Sequence, residues 1–130
     1  MTQNEVVKFW KESSDKDWEF SMELYKSGKR YDYALFFVHL SLEKLLKAIH
    51  YLKNDSHPLA IHDLAELAKR AGIKVDSEFE TRLKEITTFN IAARYDNYKL
   101  SFYNKAKKQY ADIWIGIAKE VRETCLKILF

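Results

Sequence analysis

The sequence predicts an all-α fold: an up-and-down helical bundle of four longer helices and one short one. Three observations lead there. Glycine and proline are scarce, three and one in 130 residues, whereas an all-β chain of this length needs many turns. Apolar residues recur at helical spacing through most of the chain. No stretch reads as a linker, a low-complexity tract or an internal repeat, so residues 1–130 are expected to form a single domain of ordinary size.

The first helix is expected from about Asn4 to Ser27. Val7, Trp10, Ser14, Trp18, Ser21 and Tyr25 share one stripe, widened by Met22 and Leu24, and Gly28 supplies a residue able to take the left-handed turn that ends many helices. The second, from about Tyr31 to Leu52, is apolar nearly all round, which places it at the centre of the bundle. Residues 53–58, with Pro58, break the pattern. The third helix is short, about Asp63 to Ala71, with Leu64, Leu67, Ala68 and Ala71 inward, and either His62 or Asp63 as its cap. The fourth begins near Asp76 or Ser77, both good caps, with Glu80 placed for a capping box. Its stripe is Phe79, Leu83, Ile86 and Ala93. Residues 94–99 read as polar and irregular. A fifth helix then runs from about Ser101 almost to the end on Phe102, Ala106, Tyr110, Ile113, Ile117, Val121 and Ile128.

Composition narrows the function classes. Twenty-two basic and nineteen acidic residues leave a net charge of +3, too little to mark the whole surface for nucleic acid but compatible with a local basic patch. Cys125 is the single cysteine, so no intramolecular disulfide forms, and it reads as a small core residue. No apolar run reaches the ~18 residues of a membrane span, and the charged opening, Met1 to Asp17, lacks the apolar stretch of a secretory signal. A cytoplasmic protein without membrane contact is expected.

Three features bear on chemistry. His39, Glu43 and Lys47 are spaced by four along the second helix, with Lys44 beside them and His50 continuing the line. Such a polar stripe is either solvated, with an ordinary Glu-to-Lys pair, or a polar groove that meets a ligand or another subunit, since charges on a central helix need partners when buried. The sequence ARYD at 93–96 closes the fourth helix. Arg94 there is favourable at a helix C-terminus without any function, and it is also able to hold a phosphate while Tyr95 stacks a base. The sequence IHDL at 61–64 opens the third helix. A metal site is not expected: His57 and His62 flank a Pro-containing loop without a cysteine to join them. Isolated glycines exclude a phosphate loop, and no serine sits in a nucleophile elbow.

The order ALFFVHLSLEKLLKA at 34–48, IHDL at 61–64 with Leu67, ARYD at 93–96, then Phe102 and Ala106 closely resembles the HEPN ("higher eukaryotes and prokaryotes nucleotide-binding") domain over nearly the whole chain. The resemblance implies a helical bundle, commonly homodimeric. Small stand-alone members often act with a minimal nucleotidyltransferase, frequently as a toxin–antitoxin pair. Some relatives bind nucleotides, and many are metal-independent ribonucleases that use Arg, four to six residues, then His. This sequence departs from the ribonuclease pattern, because no His follows Arg94 and all four histidines precede it. A base that works near neutral pH is what that chemistry takes from His. ARYD instead resembles a family variant that carries Pro between the Tyr and the Asp, here without the Pro.

The expectation is therefore a nucleotide-binding or partner-binding module rather than an enzyme, needing no cofactor. Lys44, Lys47 and Arg94 would meet phosphates, Tyr95 a base, and His62 and Asp63 polar groups, with Asp96 in the same nucleotide-binding set and His39 and Glu43 forming the polar stripe beside them. The alternative is a ribonuclease toxin with a rearranged active site, in which His39 or His62 supplies the base and Arg94 steadies the phosphate. A purely scaffolding dimer is the third possibility, with Phe9, Trp10, Trp18 and Trp114 as an apolar face or as ordinary core.

Overall fold

The computed structural model describes the backbone of the chain except residue 95 and the side chains except residues 91–97. Six helices appear among the described residues, and no strand: α1 (Gln3–Ser27), α2 (Tyr31–Asn54), α3 (Leu64–Arg70), α4 (Ser77–Arg94), α5 (Asp96–Lys105) and α6 (Lys108–Leu129). The chain is an all-α bundle, as its sequence predicts.

Short connections force neighbouring helices to run antiparallel, and the contacts record it. Along α1 and α2, Gln3 Nε2 donates to the Tyr51 carbonyl at 3.1 Å, Ser14 meets Ser41, Phe20 packs on Phe37 and Tyr25 on Tyr31. The helix α6 runs against both α1 and α4: Arg122 pairs with Asp15 and Tyr25 with Asp112, while Arg82 pairs with Glu120 and Tyr110 bonds Glu85. At the centre, α2 touches every other helix. Its Leu35, Val38, Leu42, Leu45, Leu46 and Ile49 are completely buried, each worth about 1.5–3 kcal/mol relative to exposure. This accounts for a helix that is apolar nearly all round.

Local signals explain most boundaries. Gly28 takes φ 68° and its N–H reaches the Tyr25 carbonyl, ending α1. Asp63 caps α3, accepting from the Glu66 N–H at 3.1 Å, while Asp76 caps α4 through the Phe79 N–H at 2.8 Å. Because Asp76 rather than Ser77 is the cap, Glu80 falls one place beyond the capping-box position and pairs with Lys69 and Lys84 instead.

The last helix departs from the sequence reading. In place of one helix from Ser101 there are two, α5 and α6, and α5 begins within the segment read as irregular. Lys107 is extended at φ −93°, ψ 175°. Phe102 and Ala106 before the break and Ala111 and Ile115 after it are all buried. The apolar spacing therefore continues across the joint and hides it, and no Gly or Pro marks the place. The break turns α5 so that Phe102 packs against Phe89 of α4, their ring centroids 5.6 Å apart.

Candidate functional site

Glu43 is the hub of the polar stripe. It lies in the apolar middle of α2, nearly buried, and its two oxygens are both engaged. Oε1 accepts from Nδ1 of His62 at 2.7 Å and Oε2 from Nζ of Lys47 at 2.9 Å. His39, fully buried, lies one turn before it. Its Nδ1 is 3.9 Å from Oε1, and its Nε2 donates to the His62 carbonyl at 2.9 Å. The residue His62 is thereby held twice, through its backbone by His39 and through its ring by Glu43. Burial pushes the Glu43 carboxyl up, but the hydrogen bonds from His62 and Lys47 outweigh it and hold it below the usual carboxylate range.

The stripe is thus neither solvated nor an open groove at its centre; it is a buried network that reaches the surface at its ends. The side chain of His62 is 38% exposed and that of Lys47 12%, with the Lys47 ammonium 5.6 Å from the ring centroid of Trp10 on α1. Leu64, just beyond His62, donates its N–H to Thr87 of α4 at 3.1 Å. The 61–64 segment is in this way fastened to both α2 and α4.

Of the residues expected to form a site, His39, Glu43, Lys47 and His62 come together. Lys44 does not join them: its ammonium is 2.7 Å from Asp17 and 2.8 Å from Ser13 on α1. His50 lies farther along, its Nε2 3.4 Å from the Ser56 hydroxyl. The side chains of Arg94, Tyr95 and Asp96 lie outside the described residues. Among the described residues no group of three or more His, Cys, Asp or Glu side chains is arranged to hold a metal ion, and no helix is long and apolar enough to cross a membrane.

A second feature escaped the sequence reading. A groove of about 630 Å³ opens between the start of α2 and α5. Phe36, Phe37 and Phe102 line it, with Tyr33, Leu100 and Tyr103 beside them and Arg30, Asp32 and Lys99 as its charged groups. Arg30 is clamped flat: Nε and Nη2 donate to the two Asp32 oxygens at 3.0 and 2.8 Å, and the guanidinium lies 3.8 Å over the Tyr33 ring and 5.3 Å from that of Tyr103. The only sequence signal was the cluster of rings at 31–37, which reads equally well as core.

The sequence matches the HEPN domain family over residues 7–129. The chain belongs to the HEPN domain family. Its fold is similar to that in the crystal structure of TT1696 from Thermus thermophilus, with a TM-score of 0.78 at 14% identity, covering 94% of this chain and 97% of that one. At that identity the likeness shows the fold alone. No curated protein matches the sequence. For a HEPN domain, the Glu43 network occupies the central helix and the segment that leads into α3, with Arg94 closing α4.

Proposed function

We propose that this HEPN domain is a nucleotide-binding module, acting as a cytoplasmic homodimer beside a nucleotidyltransferase in the manner of a toxin–antitoxin pair. The observation that carries the reading is the buried network on Glu43. Charged groups on a central helix are expensive to desolvate, and well-packed apolar residues would stabilise the bundle at least as well. Four ionisable residues gathered there, two of them reaching the surface, are the pattern that functional sites use to fix charge in place. Lys47 and His62 present donors at that surface. Arg94, at the end of α4, adds a guanidinium suited to phosphate, and Tyr95 a ring suited to a base. Lys44, paired with Asp17 and Ser13 on α1, lies outside the Glu43 network. Titration with ATP and GTP tests the reading: saturable binding weakened about tenfold or more by Arg94→Ala or His62→Ala is expected. Absence of saturable binding at millimolar nucleotide would leave only the partner-binding half.

One observation favours a second reading, a ribonuclease. The imidazole of His62 is oriented by a buried carboxylate, the arrangement that prepares a histidine as a general base. Incubation with total RNA decides this. Cleavage abolished by His62→Ala and by Arg94→Ala would establish it, and intact RNA with the wild type would end it.

A further inference from the structure

The α2–α5 groove lies outside the Glu43 network and shares none of its residues. We propose that it is a second binding site, for a planar aromatic group that carries an anionic charge.

The observations that point to a ligand of this chemistry are independent of the first site. The groove, about 630 Å³ in volume, falls in the range of small-molecule sites. Its floor is phenyl rings, yet the side chains around it remain open to solvent: Leu100 is 69% exposed, Tyr33 48% and Tyr103 41%. Large apolar side chains grouped in one concave place mark a binding surface more often than scattered ones do. The rings also alternate with cations. Arg30 stands against both Tyr33 and Tyr103, and Lys107 lies 4.3 Å over the ring of Tyr103. A flat aromatic body stacks on such rings, and its anion is drawn to the cations beside them.

Charge selects between occupants. Arg30 and Lys99 line the groove with one carboxylate, Asp32, among its described residues, and Lys107 stands over Tyr103 beside it, so the rim around Tyr103 is cationic. A neutral apolar ligand would leave that charge unused. A second copy of the chain, placed across a two-fold axis, would set the same cationic rim opposite itself. An aromatic anion satisfies both the floor and the rim. Asp32 holds Arg30 flat through two hydrogen bonds and balances its charge, which leaves Lys107, over Tyr103, to meet the anion.

Two sources offer this chemistry, a nucleoside monophosphate and a simple aromatic acid. Fluorescence titration of the full chain with 1-anilinonaphthalene-8-sulfonate measures the site directly. The uncharged N-phenyl-1-naphthylamine serves as the control for the anion. Adenosine 5′-monophosphate and 2-naphthoate, used as competitors, distinguish the two sources. Saturable binding of one sulfonate per chain is expected, weakened about tenfold by Tyr103→Ala, the usual effect of losing a stacking ring. Lys107→Ala should weaken the sulfonate severalfold and leave the neutral amine unchanged. Both positions are exposed, and circular dichroism confirms that the variants fold. Displacement by one of the competitors identifies the source.

The inference is overturned if the sulfonate shows no saturable binding, if both variants bind as the wild type does, or if the neutral amine binds equally well. It is also overturned if light scattering shows a dimer that Leu100→Asp dissociates, because the groove then belongs to a second copy. Adenosine monophosphate whose binding is lost in His62→Ala but unchanged in Tyr103→Ala, together with sulfonate binding indifferent to Tyr103→Ala, would sink the groove and leave the first site standing.

Discussion

Glu43 keeps its charge inside the bundle because His62 and Lys47 each give it a hydrogen bond, and this makes it the residue on which the pH dependence of stability turns. Its folded-state pKa lies below the ordinary 4.5. The contribution is therefore complete above that ordinary value and is lost as pH falls through the lower folded one. Replacing it by Gln keeps the shape but leaves the half-hidden Lys47 ammonium without its counter-charge, which should destabilise the protein by about 2–4 kcal/mol near neutral pH. Urea unfolding of wild type and Glu43→Gln checks this. The gap between them should narrow as pH falls below the ordinary 4.5 and close once the wild-type carboxyl is itself protonated. A gap that stays constant with pH would show that Glu43 acts through packing rather than charge. The pair Glu43–Lys47 was legible from its spacing of four. What the spacing did not reveal was burial, since a polar stripe on a greasy helix looks the same whether it meets water or His62. The Glu43–His62 bond joins residues nineteen positions apart, and local sequence holds no signal for such a contact.

Between elements, the tightest fit is that of α1 against α2. Ser14 and Ser41 are fully buried, and each donates its hydroxyl to the other's backbone carbonyl, at 2.7 and 2.9 Å. Small side chains let the two helices approach, and the reciprocal bonds satisfy hydroxyls that would otherwise be stranded in the core. Ser14→Leu extends the apolar stripe on paper but overfills this contact, and it should destabilise the protein by about 1–3 kcal/mol. Thermal unfolding measures the change, and an unchanged or raised Tm would mean that the interface has room to spare. Four of the helices were legible because caps and apolar stripes agreed: Gly28 stops α1, Asp63 starts α3. The joint between α5 and α6 was not, because Ala106 and Lys107 carry no breaker and the stripe from Phe102 to Tyr110 stays in phase. There, packing of Phe102 on Phe89 overrides a local preference for continuing the helix.

At the scale of the molecule, one core runs through α2 to α6, with Trp18, Met22 and Tyr25 of α1 packed against it, and Cys125 of α6 is sealed in it. Burial pushes its thiol up to about 12, with nearby Arg122 only partly offsetting this. In the folded state the group is thus both inaccessible and almost wholly protonated, and the thiolate is the form that reacts. Alkylation of Cys125 then requires an opening that exposes α6, and α6 packs on α1, α2 and α4. Such an opening approaches global unfolding, so the labelling rate should follow overall stability rather than local fraying. Glu43→Gln and Ser14→Leu should accelerate labelling by iodoacetamide in proportion to the stability each removes, about tenfold for every 1.4 kcal/mol. Labelling of the wild type at the rate of a free thiol, or equal rates in all three proteins, would mean that α6 detaches while the rest of the bundle stays folded. Agreement would show that the Glu43 network and the α1–α2 contact stabilise the same cooperative unit as the core around α6.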